Sequence, residues 1–305
     1  WLTESVRRWV EASAGFPPAR WRKSLTLFAV VVFLFGTAAA AFSLEVAWSQ
    51  LRWEWLGVAM FLGVPFTVAT NALEYRLSAA LLGHRVPLLV AVRVAVFATA
   101  ANILPIPGAA IVRIQALRRS GQPTRDAGIS TGVLGIGWVG AAALIAGAIL
   151  LIAGAAGAGV LLTGGGILAL SVTVALIAKY LPKGSRSRFF GKVFTVEAAA
   201  IFSGLLRLYA VLLAVGESPT VVGAAMLALA GVLASASGVF PGGLGLRELL
   251  SVLLGPIGGV GVAAAFLATA VDRILGVAFH VPVAGWLACR TPSNARDSGL
   301  PTAHS

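Results

Sequence analysis

The sequence has little cysteine, histidine and acid, and this scarcity excludes several kinds of site. One cysteine, Cys289, and three histidines stand among 305 residues, which is too few for a disulfide framework or a Cys/His metal cluster. No G-x-x-x-x-G-K-[ST] loop occurs, which excludes nucleotide hydrolysis by that route. No Ser/His/Asp arrangement or carboxylate cluster has catalytic spacing. We therefore expect no catalytic residue, metal or cofactor, and predict that the chain is not an enzyme.

Charge is also scarce, and most of it is positive. Only 11% of residues are charged, 58% are hydrophobic and the mean hydropathy is +0.93, so the chain is too apolar for a soluble domain and is predicted to be an integral membrane protein. The net charge of +12 lies in short basic clusters between apolar runs, as in cytoplasmic loops. Membrane topology therefore explains the charge, and no nucleic-acid partner is expected.

Several apolar runs are long enough to cross a bilayer, which takes about 20 helical residues. They are 24–44, 54–73, 127–153, 155–178, 193–215 and 259–289. Three tryptophans, Trp48, Trp53 and Trp55, flank the first loop, where amphipathic rings favour the headgroup layer. The expected fold class is an all-α polytopic membrane protein with about six full crossings.

The basic clusters orient these crossings, because cytoplasmic loops carry an excess of Lys and Arg. Clusters within 7–23 and 179–192 place the N-terminus in the cytoplasm. The cluster within 113–125 also requires the cytoplasmic side, so residues 88–112 are predicted to enter and return on one face, although a full crossing stays open. The same count makes residues 220–257 a re-entrant element from the outer face.

The two re-entrant elements resemble each other. "ATAANILPIPGAAIVR" and "ASASGVFPGGLGLRE" both run from small polar residues through proline and glycine to an arginine. Pro105 pairs with Pro241, and Arg113 with Arg247. This predicts an inverted repeat with a substrate site where the broken elements meet; a chance likeness of two short Pro/Gly breaks is the alternative.

The second break has the composition of an anion site. Backbone that leaves the helix within a membrane is tolerated only against protein or a water-filled cavity, and a helix beginning near Leu246 would aim its positive end at the turn. Arg247 suits phosphate, and Glu248 is expected to pair with it, cap the helix or meet a cationic headgroup. A turn with a snorkelling arginine is the alternative. The glycines that permit unusual backbone angles here are Gly242, Gly243 and Gly245.

Other ionisable residues fall inside apolar runs. Asp272 and Arg273 lie near the middle of the last run, and Arg207 lies in the fifth; such residues usually face a cavity or a charged partner. The excess of arginine indicates an anionic ligand, with a purely structural pair between Asp272 and an arginine as the alternative. Gly128 and Gly132, four residues apart, predict close helix packing rather than a functional role.

Two stretches resemble a known family. "FPGGLGLRE", residues 240–248, with the small residues before it, is similar to the signature of the lysylphosphatidylglycerol synthase transmembrane, or flippase-like, family. Residues 101–121 resemble that family's first motif, although Ala109 and Ala110 stand where the family commonly has Gly-Glu. The similarity runs from the first apolar run to Cys289. The matching residues of the first motif are Asn102, Leu104, Pro105 and Arg113.

The resemblance implies two inverted halves around a lipid cavity, and transbilayer movement of lipids with polar headgroups. The soluble aminoacyl-transferase domain of the bifunctional members has no counterpart in this sequence, so synthase activity is not implied.

These observations predict movement of an anionic phospholipid or polyprenyl-phosphate-type lipid through a central polar cavity in a bacterial inner membrane. The alternatives are a secondary transporter of a small organic anion and a non-catalytic membrane subunit of a lipid-modifying complex. Both termini are expected in the cytoplasm, and a homodimer and a leader removed before Trp1 are left open. The expected segments are a cytoplasmic N-terminal segment 1–23, one transmembrane domain 24–289 and a cytoplasmic tail 290–305. The expected lipid-binding residues are Arg113, Arg247, Glu248, Asp272, Arg273, Arg207, Asn102, Pro105, Pro241, Gly242, Gly243 and Gly245.

Overall fold

The computed structural model describes residues 19–44, 51–102, 108–237 and 243–289. In those ranges the chain forms helices joined by short turns, with no strand among them. This confirms the expected all-α class. The helices are α1 (Ala19–Ser43), α2 (Trp53–Leu81), α3 (Leu88–Ala101), α4 (Gly108–Arg119), α5 (Thr124–Ile152), α6 (Ala156–Tyr180), α7 (Lys183–Ala214), α8 (Val221–Ser237), α9 (Leu246–Leu254) and α10 (Val262–Cys289).

Helices α2, α5, α6, α7 and α10 are long and apolar enough to cross a membrane. Two of them, α2 and α7, extend past the predicted runs 54–73 and 193–215, because a helix continues through polar residues that the hydropathy pattern leaves out. In α1 the apolar part, Val30–Ser43, is shorter than the about 20 residues that a crossing needs. The chain is therefore a membrane protein, and the count of six crossings stays a prediction.

Large apolar side chains on the outside of the bundle agree with a lipid environment. Phe35 of α1 and Leu161 of α6 are 76% and 78% exposed, which no soluble surface tolerates in quantity. The interior lies mainly between α7, α8 and α10, where Leu208, Leu212 and Leu227 are buried.

Two pairs of short helices interrupt the long ones. α3 packs against α4, and α8 packs against α9; none of the four exceeds 17 residues. The backbone of Gly108 lies so close to Ala101 that a Cβ on it would come within 2.0 Å of the carbonyl oxygen. The breaks themselves, with Pro105, Pro241 and Gly242, lie outside the described residues, so re-entry stays a prediction.

The order of elements repeats along the chain. A long helix, a pair of short helices and a long helix occur as α2, α3–α4 and α5, and again as α7, α8–α9 and α10, with α6 between them. This is the order that the predicted inverted repeat requires. Their inverted relation in the membrane stays a prediction.

Glycines pack α5 against α6, but not the two that the sequence pattern indicates. A Cβ on Gly140 or Gly147 of α5 would come within 3.0 Å of α6, so these positions allow the close approach. Around Gly128 and Gly132 nothing lies within 4 Å of such a Cβ. The packing prediction for that pair is therefore wrong, because both residues face the cavity described below.

Candidate functional site

A cavity of about 700 Å³ lies between helices α2 to α9. This volume is in the range of ligand pockets, about 300–1,000 Å³. Its wall is mostly alanine, glycine and branched apolar residues, with Trp138. The charged residues that line it are Arg113, Arg207, Arg247 and Glu74, and the polar ones are Thr67, Asn71, Thr99, Asn102, Thr131 and Ser235.

Arg113 of α4 forms a two-armed ion pair with Glu74 of α2. Its Nη1 donates to Oε1 at 2.6 Å and its Nη2 donates to Oε2 at 2.9 Å, the geometry in which arginine binds carboxylates most strongly. Asn71 lies 3.4 Å from Nη2. Arg113 therefore has its carboxylate partner on another helix, 39 residues earlier in the chain.

The start of α4 is held by Asn102. Its Oδ1 accepts a hydrogen bond from the N–H of Ala109 at 2.9 Å, which satisfies one of the open donors of a helix N-terminus. Asn102 thus orients the helix that carries Arg113 and also lines the cavity.

A second carboxyl group, Glu197 of α7, interacts electrostatically with Glu74 and Arg113. Its residue is 1% exposed, and neither carboxyl oxygen has a hydrogen-bond partner in the described part of the chain. We call Arg113, Glu74 and Glu197 the first charged layer. The sequence analysis overlooked both glutamates, although each is an acid inside a long apolar helix, which is the signal that could have found them.

Arg207 of α7 and Arg247 of α9 share one carboxylate, Asp272 of α10. Arg207 donates from Nε at 2.5 Å and from Nη2 at 2.9 Å, and Arg247 donates from Nη2 at 2.5 Å. The carboxylate is fully buried, whereas the two arginine side chains keep 13% and 15% exposure. We call these three residues the second charged layer.

Helix α2 supports the second charged layer. The Nη1 of Arg207 donates to Thr67 at 3.0 Å. The aliphatic stem of Arg207 passes Gly63, where a Cβ would lie 2.9 Å from the Cγ of the arginine. Gly63 ends a π-helical segment, Ala59–Gly63, and such segments frequently occur at functional sites.

Glu248 of α9 has two partners, and neither is Arg247. Its Oε1 accepts from the Nε of Arg273 at 2.9 Å, and its Oε2 accepts from the N–H of Gly245 at 2.8 Å. Of its three expected roles, only the cap is therefore found, together with a pair to Arg273. Helix α9 begins at Leu246 as expected, but its own glutamate occupies the positive end, which weakens the predicted anion site there.

The predicted residues that the structure describes divide into three groups. Arg113, Arg207, Arg247 and Asn102 line the cavity. Asp272, Glu248 and Arg273 lie behind that lining, with both carboxylates fully buried, so they position arginines and the turn instead of facing the cavity. Gly243 and Gly245 shape the turn, with φ of 70° and 76°, which confirms the unusual backbone angles expected of them. Pro105, Pro241 and Gly242 lie outside the described residues.

The two charged layers lie at different depths of the cavity. On α2, Glu74 marks the first layer and Thr67 the second, and seven residues of helix rise about 10 Å. The arginines of both layers line the same cavity. An anion inside it therefore meets arginine at two successive positions. Within the described ranges, no three His, Cys, Asp or Glu side chains are grouped to hold a metal.

No protein-family model matches the chain, and a search of curated proteins gives no significant match. The resemblance to the lysylphosphatidylglycerol synthase transmembrane family therefore depends on the two motifs alone, and membership stays a prediction.

Proposed function

We propose that this protein moves an anionic phospholipid, or a polyprenyl-phosphate-type lipid, across a bacterial inner membrane through the cavity that helices α2 to α9 enclose. The observation that carries the proposal is the cavity lining, which has three arginine side chains and one glutamate. The finer topology, with two re-entrant elements in an inverted repeat and both termini in the cytoplasm, is part of this proposal.

The charge balance of the second layer favours an anion. Two guanidinium groups share the single carboxylate of Asp272, which leaves one positive charge uncompensated in this group of three. A phosphate supplies the negative charge that compensates it, and also accepts forked hydrogen bonds from arginine. The Nε atoms of Arg113 and Arg247 are buried without a hydrogen-bond partner in the described part of the chain, so each layer contains an arginine whose donors are not all used.

The surroundings favour a lipid as the source of the phosphate. The cavity wall is largely apolar between the charged groups, and the outer faces of α1 and α6 carry large exposed apolar side chains. A headgroup inside the cavity would keep polar partners while its acyl chains stay in the surrounding lipid, which lowers the desolvation cost of crossing. Each pair of short helices contributes one arginine, Arg113 or Arg247, to this path.

The substitution Arg247→Gln tests the proposal. Asp272 keeps its two bonds to Arg207, so the variant is expected to fold, while the second layer loses its excess charge. In liposomes of phosphatidylcholine with fluorescent phosphatidylglycerol, we expect the rate of transbilayer movement to fall to the protein-free background. The matched control is Arg93→Gln, because Arg93 is exposed on α3 and does not line the cavity. Unchanged movement in Arg247→Gln, or equal loss in Arg93→Gln, contradicts the proposal.

Transport of a small organic anion is the second candidate, favoured by the cavity volume of about 700 Å³, which fits a small ligand. Native mass spectrometry separates the two. A phospholipid or polyprenyl phosphate retained by the wild-type protein and lost in Arg247→Gln supports lipid movement. Retention of a soluble anion alone supports the transporter.

A further inference from the structure

We propose that Glu197 is a proton-binding site coupled to anion binding at Arg113, so that the first charged layer takes up a proton when an anion arrives. The anion part of this proposal rests on the proposed function, whereas the proton site stands on the geometry of Glu197 itself.

The environment of Glu197 disfavours a permanent negative charge. The residue is 1% exposed, and both carboxyl oxygens lack a hydrogen-bond partner in the described part of the chain. Burial of an ionised carboxylate without a partner is far more costly than burial of the neutral acid. A buried acid without a partner in a membrane helix is therefore suited to exchange a proton.

The charged groups that interact with Glu197 are Glu74 of α2 and Arg113 of α4. Of the other helices packed against α7, α8 carries no ionisable residue. Helices α5 and α6, with the turn between them, carry none from Asp126 to Lys179 apart from these two residues. On α10, Asp272 is occupied by Arg207 and Arg247, Arg273 pairs with Glu248, and His280 bonds the carbonyl oxygen of Gly276.

Glu197 also lies next to the cavity wall. Ala200 and Ile201, one helical turn further along α7, line the cavity, and residues three or four apart share a helix face. Glu197 therefore lies on the face of α7 that borders the cavity.

Counting charges in the first layer gives the direction of the coupling. With Glu197 ionised, Arg113, Glu74 and Glu197 sum to one negative charge, which repels an anion; with Glu197 protonated, they sum to zero. An anion at Arg113 therefore favours the protonated form, and by reciprocity a proton on Glu197 raises the affinity for the anion. Anion binding at this layer should strengthen as pH falls, by at most about tenfold per pH unit for one coupled proton.

Infrared spectroscopy tests the proton site without any lipid movement. In nanodiscs of phosphatidylcholine, the wild-type protein should show a protonated-carboxyl band that is sensitive to D₂O and disappears as pH rises. We expect the band to be absent in Glu197→Gln at every pH. In Glu74→Gln it should disappear at a lower pH than in the wild-type protein, because Glu197 then faces Arg113 without a second negative charge beside it. A wild-type protein without this band, or a band that persists in Glu197→Gln, overturns the proposal. If Glu197→Gln does not fold, the wild-type titration and Glu74→Gln still decide the question.

Adding phosphatidylglycerol to the nanodiscs tests the coupling. The midpoint of the Glu197 band should move to higher pH in the wild-type protein, because bound anion stabilises the protonated form. The anionic surface alone also shifts the midpoint, and Arg113→Gln measures that contribution. A shift that is larger in the wild-type protein supports coupling. An equal shift in both proteins overturns coupling at Arg113, while a failure of the proposed lipid movement is detected separately in the liposome assay.

Discussion

The two charged layers of the cavity have opposite composition. In the first, one guanidinium, Arg113, lies among two carboxyl groups; in the second, one carboxylate, Asp272, lies between two guanidinium groups. The first layer therefore gains negative charge unless it binds a proton, and the second keeps a positive charge whatever the pH near neutrality. On the function that we propose, the second layer would attract the anion and the first would control its passage.

The largest effect is expected from Asp272→Asn, which removes the only carboxylate that holds the second layer together. Arg207 and Arg247 then become two partly buried like charges without their shared partner, and breaking a buried ion pair costs about 3–5 kcal/mol. We expect the free energy of unfolding to fall by that amount, measured by equilibrium denaturation in detergent.

The matched control is Glu54→Gln, because Glu54 is 67% exposed and its pair with Arg52 is long, at 3.9 Å; exposed pairs contribute little. If Asp272→Asn is no less stable than Glu54→Gln, the second layer is not the buried ion-pair cluster described above.

A smaller loss is expected from Glu74→Gln, because the first layer holds a second carboxyl group. When Glu74 is neutralised, Glu197 is available to ionise beside Arg113, so the cost should stay on the order of 1–3 kcal/mol. The double variant Glu74→Gln with Glu197→Gln removes both acids, and its loss should exceed the sum of the single losses, as for residues of one network. Additive losses would show that Glu197 does not replace Glu74.

An effect of similar size is expected at Gly63, against which Arg207 of the second layer packs. Gly63→Ala places a methyl group against the stem of Arg207, at 2.9 Å from its Cγ, and crowding of this kind costs about 1–3 kcal/mol. Gly57→Ala on the same helix is the control, since nothing lies within 4 Å of its Cβ; it should be neutral or stabilising by up to about 1 kcal/mol. Thermal unfolding of both variants measures the difference, and equal unfolding midpoints would contradict close packing of the Arg207 side chain against Gly63.

The sequence predicts the fold better than it predicts the partners in the site. Apolar runs and basic clusters identify the long helices, because the bilayer requires both. The sequence also identifies Arg113, Arg207 and Arg247, since a charged residue in an apolar helix is costly and usually faces a cavity or a charged partner. Which carboxylate meets which arginine depends on how the helices pack, and the pairing of Arg113 with Glu74 spans 39 residues.

Gly132→Trp should change stability least and still block passage through the cavity. Gly132 lines the cavity, and nothing lies within 4 Å of a Cβ placed on it, so a side chain at this position starts in open space and we expect the free energy of unfolding to change by about 0.5 kcal/mol or less. Gly164→Trp on the exposed face of α6 meets equally open space outside the cavity. We expect lipid movement in liposomes to fall roughly tenfold or more in Gly132→Trp, which corresponds to about 1.4 kcal/mol in the barrier, and to stay unchanged in Gly164→Trp. If both variants move lipid at the wild-type rate, the lipid does not pass Gly132, and the proposed path through this cavity is contradicted.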